Sequence, residues 1–325
     1  MKEVGMGIPS ERFHSLITRS RAPTRLSFGG GGTDISPYME KHGGLVLSTT
    51  IDRYAYCTVA KSDKWLIESN FASAGVDWFD RINEGPLSVS CFTEAPAGSG
   101  LGGSSSLMVA IIRALSTYYG EAMSNHEIAK AAWSVERMKL GIDGGYQDQF
   151  AAAYGGWNMM EFSDVVKVIP VPLREDLLRE LLASLLLIDL GTSRVSSGII
   201  KRQVKRYEQP ETIEVLDNIK FITRQMLRAL TWGELKEFGL LLSREWEQKK
   251  KLDRKISNRT IDRFHAGMLR QGAIGGKLLG AGEGGHMVFL SDLSKRKVLL
   301  DYIASSGFKH IPFRFDSQGV VAWTL

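Results

Sequence analysis

The 325-residue sequence predicts an α+β fold in two parts. Three observations predict it. Residues 19–28 and 44–60 alternate in the manner of strands, with β-branched and aromatic side chains. From residue 196 to about 271 the apolar spacing becomes helical and stays so. Strand character then returns at 286–290, 313–315 and 320–323. Strands and helices are thus grouped and do not alternate as βαβ units, and the change of pattern puts a boundary near residue 175. The expected parts are residues 1–175 and 176–325.

Each element has a local reason. In the second strand Val46, Ile51, Tyr54, Tyr56 and Val59 supply strand-forming side chains. Residues 87–92 read as another strand. The apolar run 107–115 belongs to a helix spanning 104–119. Ser124 and Glu127 form a capping box that opens a further helix, and Gly141 closes it. Residues 185–189 are a short buried strand. Val215, Ile219, Ile222 and Met226 fall on one face of a helix in the central helical stretch.

Composition narrows the function. At 43% hydrophobic the chain can bury one large or two medium cores. The net charge is +5, with basic groups at residues 201–206 and 249–255 that read as solvated helix faces. No aromatic-interleaved basic patch accompanies them, so no nucleic acid is expected as a partner. A mild positive balance suits phosphorylated substrates. Cys57 and Cys91 show no metal or redox spacing and fit a reducing cytoplasm. The N-terminus lacks a signal-peptide pattern, and the longest apolar stretch, near 181–190, is too short for a bilayer and contains Asp189. A cytoplasmic protein with no membrane partner is expected.

The densest chemical signal is residues 96–106, Pro-Ala-Gly-Ser-Gly-Leu-Gly-Gly-Ser-Ser-Ser. A glycine-rich loop that feeds a helix N-terminus gathers backbone N–H groups and positive dipole charge, which suits a phosphate. The serine hydroxyls can face phosphate or Mg²⁺. No Gly-Lys-Ser/Thr follows, so this is not a Walker A loop. Gly98, Gly100 and Gly103 fit the dinucleotide spacing, but no βαβ repeat surrounds them. Two more glycine-dense segments stand at residues 21–34, Arg-x-Pro-x-Arg-x-Ser-x-Gly-Gly-Gly-Gly-Thr-Asp, and at 275–285, Gly-Gly-Lys-Leu-Leu-Gly-Ala-Gly-Glu-Gly-Gly.

Three such blocks, in this order, resemble the motifs of the GHMP kinases, from about Arg19 to the C-terminus. Together with Gly-Gly-Tyr-Gln-Asp-Gln at 144–149, they look most like the heptose kinases of that superfamily. The resemblance implies an ATP-binding α+β domain followed by a ferredoxin-like α+β domain. It implies ATP and Mg²⁺ as cofactors. The implied reaction phosphorylates the anomeric C1 hydroxyl of D-glycero-D-manno-heptose 7-phosphate, in nucleotide-heptose synthesis for surface polysaccharide. Another anomeric sugar kinase, fucokinase-like, and a non-catalytic sugar- or nucleotide-binding regulator are the rival readings. Oligomeric state is not legible.

By motif position the resemblance implies the following roles. Asp148 stands by the acceptor hydroxyl as base or charge stabiliser; read alone, it could equally cap a helix. Arg25 supplies fixed charge near Asp148 and the moving phosphoryl group; read alone, it is a surface strand residue. Pro96, Gly98, Ser99, Gly100, Leu101, Gly102, Gly103, Ser104 and Ser105 cradle ATP. Ser104 and Glu136 are the metal candidates, although Glu136 alone reads as a helix-surface acid. Gly31, Gly32, Thr33 and Asp34 face the sugar, with Asp34 also open to an Asx-turn. Gly145, Gly280, Ala281 and Gly282 approach the substrates closely, and Lys277 reaches an anionic group or is solvated. Thr192, Ser193, Arg194 and Ser196 form a nest for a second phosphate. Two departures from the family accompany this. The segment between Asp63 and Thr93 is short, which implies a shortened wall for the adenine pocket. Glu283 stands where relatives tend to have Gly, and its side chain is expected to point away from the phosphates.

Overall fold

A computed structural model describes residues 17–191 and 197–325. The chain opens with the long strand β1 (Thr18–Gly29), a short helix α1 (Tyr38–His42) and β2 (Gly44–Lys61). Then come β3 (Leu66–Ile67), α2 (Asn70–Phe79), β4 (Leu87–Thr93), α3 (Gly103–Tyr118), α4 (Asn125–Ser134) and α5 (Gln147–Tyr154). β5 (Asn158–Phe162), β6 (Lys167–Pro170) and α6 (Glu175–Ser184) complete the first half. The second half holds β7 (Leu185–Asp189), α7 (Ser197–Val204), α8 (Pro210–Trp232), α9 (Leu235–Leu252) and α10 (Arg259–Arg270). It continues with β8 (Ala273–Leu278), β9 (His286–Ser291), α11 (Arg296–Ser305) and β10 (Lys309–Ile311), and the chain ends in β11 (Phe315–Asp316) and β12 (Val321–Thr324).

The first sheet is built on the β1–β2 pair, with β4, β5 and β11 also on β2. The β1–β2 register slips between Pro23 and Thr24, beside the residue that has no N–H to give to the ladder. Two residues later stands Arg25. α3 lies on this sheet and buries Met108, Ile111, Ile112 and Leu115. Its start is strapped to β1: Ser106 Oγ donates to Pro23 O at 2.9 Å, and Arg25 N donates to Leu101 O at 2.9 Å.

The second sheet runs β10–β7–β9–β8, antiparallel throughout. In chain order this is fourth, first, third, second, the ferredoxin-like arrangement. α9 packs closely on β8 because Gly239 and Gly275 face each other, and a Cβ on Gly275 would overlap the Gly239 carbonyl. The two halves share one apolar cluster, in which Leu26, Phe28, Leu47 and Trp157 meet Ile222, Met226, Phe238 and Leu241. Phe28 stacks on Trp157 at 5.0 Å and meets Phe238 edge-on at 5.4 Å.

The last strands cross the expected boundary. β11 pairs with β2, and β12 pairs with β1, so the chain end returns to the first sheet and residues 176–325 do not form one continuous unit. The segment between Asp63 and Thr93 also holds a helix, α2, whose Gly75 is pressed against Ile111 of α3. Cys57 and Cys91 face each other directly across β2 and β4 as free thiols, 3.9 Å apart. Among the described residues no helix is long and apolar enough to cross a membrane.

Candidate active site

The three glycine blocks converge on one cavity of about 520 Å³. Its size is that of a small-molecule site. Gly102 caps α3 in the left-handed region, φ 77°, and turns the chain so that α3 begins at the cavity wall. The first N–H groups of α3 have no partner within the helix and are presented there with its positive end. Pro96, Gly98, Ser99, Gly100, Gly103, Ser104 and Ser105 line the same wall. The third block lies against this loop. A Cβ on Gly280 would stand 2.5 Å from Gly100 Cα, so only glycine allows the two backbones to meet. His286, at the start of β9, bonds Ser99 O through Nδ1 at 2.8 Å.

At the centre Arg25 and Asp148 form an ion pair. Arg25 Nε donates to Asp148 Oδ1 at 2.8 Å, and a second guanidinium nitrogen lies 2.8 Å from the same oxygen. Arg25 NH1 donates to Gly100 O at 2.5 Å. Asp148 lies in the first turn of α5, but that helix's cap is Tyr146, so Asp148 does not cap it. Asp34 fixes the same turn: it accepts from Gln147 N and Gln147 Nε2, both at 3.1 Å, and from Gly32 N at 3.2 Å. Its burial raises the carboxyl pKa, which these donors partly offset. Gly145 is required here, because a Cβ would overlap the Asp34 carboxylate.

Most of the residues singled out by sequence meet at this cavity: Arg25, Gly31, Gly32, Asp34, Gly145, Asp148, Gly280, Ala281 and Gly282 line it. Several do not. Leu101 sits in the core shared by the two halves, and its backbone carbonyl is what holds Arg25 N. Thr33 is fully buried and ties its loop to Gly30 O and to Leu45 on β2. Lys277 is corrected most clearly. It is buried, donates to Phe28 O at 2.9 Å and pairs with Glu245 at 2.6 Å, away from the cavity wall. Arg194, with Thr192, Ser193 and Ser196, lies outside the described residues. Glu283 does not line the cavity; it takes φ 65°, the left-handed conformation that glycine adopts most easily. No residue from 61 to 93 lines the cavity, so that segment adds no wall to it.

Glu136 is not the surface acid that its neighbours suggest. It lies on a single π-helical turn (Val135–Lys139) that follows α4, fully buried behind Ser105 and off the cavity wall. Gln149 Nε2 donates to Ser105 Oγ at 3.0 Å and also to the Glu136 carboxylate. Glu136 Oε1 has no hydrogen-bond partner among the described residues, and burial raises the carboxyl pKa. This buried carboxylate, with one oxygen unanswered, reaches the phosphate loop through Gln149 and Ser105. Among the described residues there is no cluster of three or more His, Cys, Asp or Glu for a metal.

Arg137, Lys201, Gln203 and Lys249 also line the cavity, although the sequence had assigned none of them to it. Arg137 donates to Ile142 O at 2.9 Å and Gly145 O at 3.0 Å, bracing the loop before α5. Gln203 and Lys201 enter from α7. Lys249, read from sequence as part of a solvated basic face, is buried in the cavity instead.

The chain matches the family models for the GHMP kinases N terminal domain over residues 70–156 and the GHMP kinases C terminal over 226–309. It is 32% identical to the D-glycero-alpha-D-manno-heptose 7-phosphate kinase of Campylobacter jejuni subsp. jejuni, over 94% of this chain and 99% of that protein. A solved D-glycero-D-manno-heptose 1-phosphate kinase from a Bacteroides species superposes with a TM-score of 0.78 at 28% identity, covering 95% of this chain and 99% of the other. A sugar kinase structure from Campylobacter jejuni gives a TM-score of 0.76 at 29% identity, over 95% and 98% of the two chains. With both halves matched in order around one glycine-walled cavity, the chain belongs to the GHMP kinase family.

Proposed function

We propose that this chain is an ATP-dependent kinase that phosphorylates the C1 hydroxyl of D-glycero-D-manno-heptose 7-phosphate, giving the 1,7-bisphosphate. The observation that carries the chemistry is the Arg25–Asp148 pair beside the N-terminus of α3. The choice of sugar is supported by the 32% identity, over nearly the whole chain, to a heptose 7-phosphate kinase.

In this reading the ATP phosphates lie along the loop 96–105, on the backbone N–H groups that open α3. The acceptor rests on Gly31, Gly32 and Gly145. As its C1 oxygen bonds to the γ-phosphorus, the bond from that phosphorus to the β–γ bridging oxygen breaks and ADP leaves. The hydroxyl proton goes to the Asp148 carboxylate. Arg25, buried and unable to lose its proton, holds Asp148 on its acceptor-facing edge and adds fixed positive charge where negative charge builds. Asp34 serves through Gln147: by fixing the first turn of α5 it sets the position of Asp148. Ser104, on the cavity wall, would hold Mg²⁺, which neutralises phosphate charge when bound, with the buried Glu136 carboxylate behind the loop.

The test is the product. With Mg²⁺ and ATP the protein should consume heptose 7-phosphate, and phosphorus NMR should show an anomeric phosphate. A second phosphate on a secondary hydroxyl in place of C1, or no consumption, overturns the reading.

A further inference from the structure

Lys249 differs from the other buried cations of this protein. It lies at the end of α9, only 7% exposed, and its Nζ donates to the Gly280 carbonyl at 2.7 Å. Among the described residues it makes no ion pair. Lys277 on the neighbouring strand β8 is buried as deeply but is answered by Glu245. A buried ammonium without a counter-charge is costly, so folds seldom keep one unless a ligand completes it. Burial draws the Lys249 pKa down to about 8. Lys277 and Arg25 push it the same way, while Glu245 and Asp34 oppose them.

The surroundings of Lys249 are those of an anion site. An ammonium has three hydrogens and Gly280 takes one. The side chain lines the cavity, where Ser27 Oγ and Gln203 Nε2 have no hydrogen-bond partner among the described residues. Gly31 of the first block is close by, and a Cβ there would stand 3.1 Å from Nζ. The missing side chain keeps the space beside the ammonium open. Gln147 Nε2, on the residue before Asp148, would lie 3.9 Å from that same Cβ position.

We propose that Lys249 binds the acceptor's own phosphate, so that it selects sugars that already carry one. The ammonium, anchored on Gly280, supplies the counter-charge within reach of a sugar seated on Gly31. This rests on the sugar-phosphate reading above. Lys277 does not compete for this role, because its charge is answered by Glu245.

The test compares the wild type with Lys249→Met and Lys249→Arg on heptose 7-phosphate and on the unphosphorylated heptose, with ATP affinity measured separately by calorimetry. For Lys249→Met, kcat/KM on the phosphorylated sugar should fall about ten- to a hundredfold, as for loss of a hydrogen bond to a charged group. Use of the unphosphorylated sugar should fall far less, because only the Gly280 contact is lost there, the Kd for ATP should stay near the wild-type value, and Lys249→Arg should recover part of the loss. In the wild type, pyridoxal 5′-phosphate followed by borohydride should label Lys249, and heptose 7-phosphate should protect it. Equal losses on both sugars, or a loss of ATP affinity, overturn the proposal. If the wild type turns over neither sugar, the substrate reading fails by itself. The proposal is then read from inorganic phosphate, which must protect Lys249 from the label; no protection overturns it.

Discussion

At the level of single residues, the cavity depends on which charges are answered and by what. Arg25 spends its fork on Asp148 and Gly100, so Asp148 is held in place without being capped into its helix. Asp148→Asn keeps the shape and removes the basicity. Its kcat should fall by about two to four orders of magnitude, with little change in the Kd for ATP. Steady-state kinetics beside calorimetry checks this, and near-normal turnover would return Asp148 to a structural role. Lys277 makes the opposite case. Sequence places it in a glycine block and suggests substrate, yet it faces Glu245 with both side chains essentially unexposed. Lys277→Met should therefore act on stability. Leaving Glu245 charged and alone costs about 3–5 kcal/mol, read by urea unfolding, and a matched Lys277→Met, Glu245→Leu pair should recover most of it. A stable single variant with a raised KM would contradict that assignment.

At the level of elements, what the sequence made legible was local. Period-2 and period-3.6 patterns located β1, β2, α3 and the helical stretch that became α7 to α10. The Ser124–Glu127 box is made in full, with both reciprocal hydrogen bonds. Glycine runs marked the cavity because close approach and positive φ leave a residue-type signature. Lys249 and Lys277 were misjudged for a shared reason. Whether a lysine faces solvent or a cavity is decided by the element across from it, here the α9–β8 contact made through Gly239 and Gly275. Glu136 was hidden likewise, since one π-turn rotates it inward to Gln149. The junction of loop and α3 can be tested directly. Gly102 takes φ 77°, and its Cβ would lie 3.3 Å from the Asp148 carboxylate. Gly102→Val asks a β-branched residue to adopt that conformation. ATP affinity should weaken by at least about tenfold while the circular dichroism spectrum stays native-like. A folded variant with unchanged affinity would mean that the phosphates bind elsewhere.

At the level of the whole molecule, the cavity exists because the two sheets are held together over one shared core. Three things hold them there. The core joins Phe28 and Trp157 of the first half to Phe238 of the second. Lys277 crosses from β8 to the Phe28 carbonyl on β1. The chain end returns through β11 and β12 to pair with β2 and β1. Domains with a modest polar contact can open separately, whereas a large shared apolar core couples their unfolding. Phe28→Ala tests the coupling, because it cuts into that core from the first half alone. Such a truncation costs about 3–5 kcal/mol. Hydrogen exchange read by mass spectrometry should then show the slowest amides of β2 and of β9 losing protection by the same free energy, since both exchange through one global opening. If only β2 loses protection, the halves unfold independently. In that case the geometry between Arg25 and Gly280 is set by bound substrate and not by the fold, and ATP with acceptor should restore the lost protection around the cavity alone.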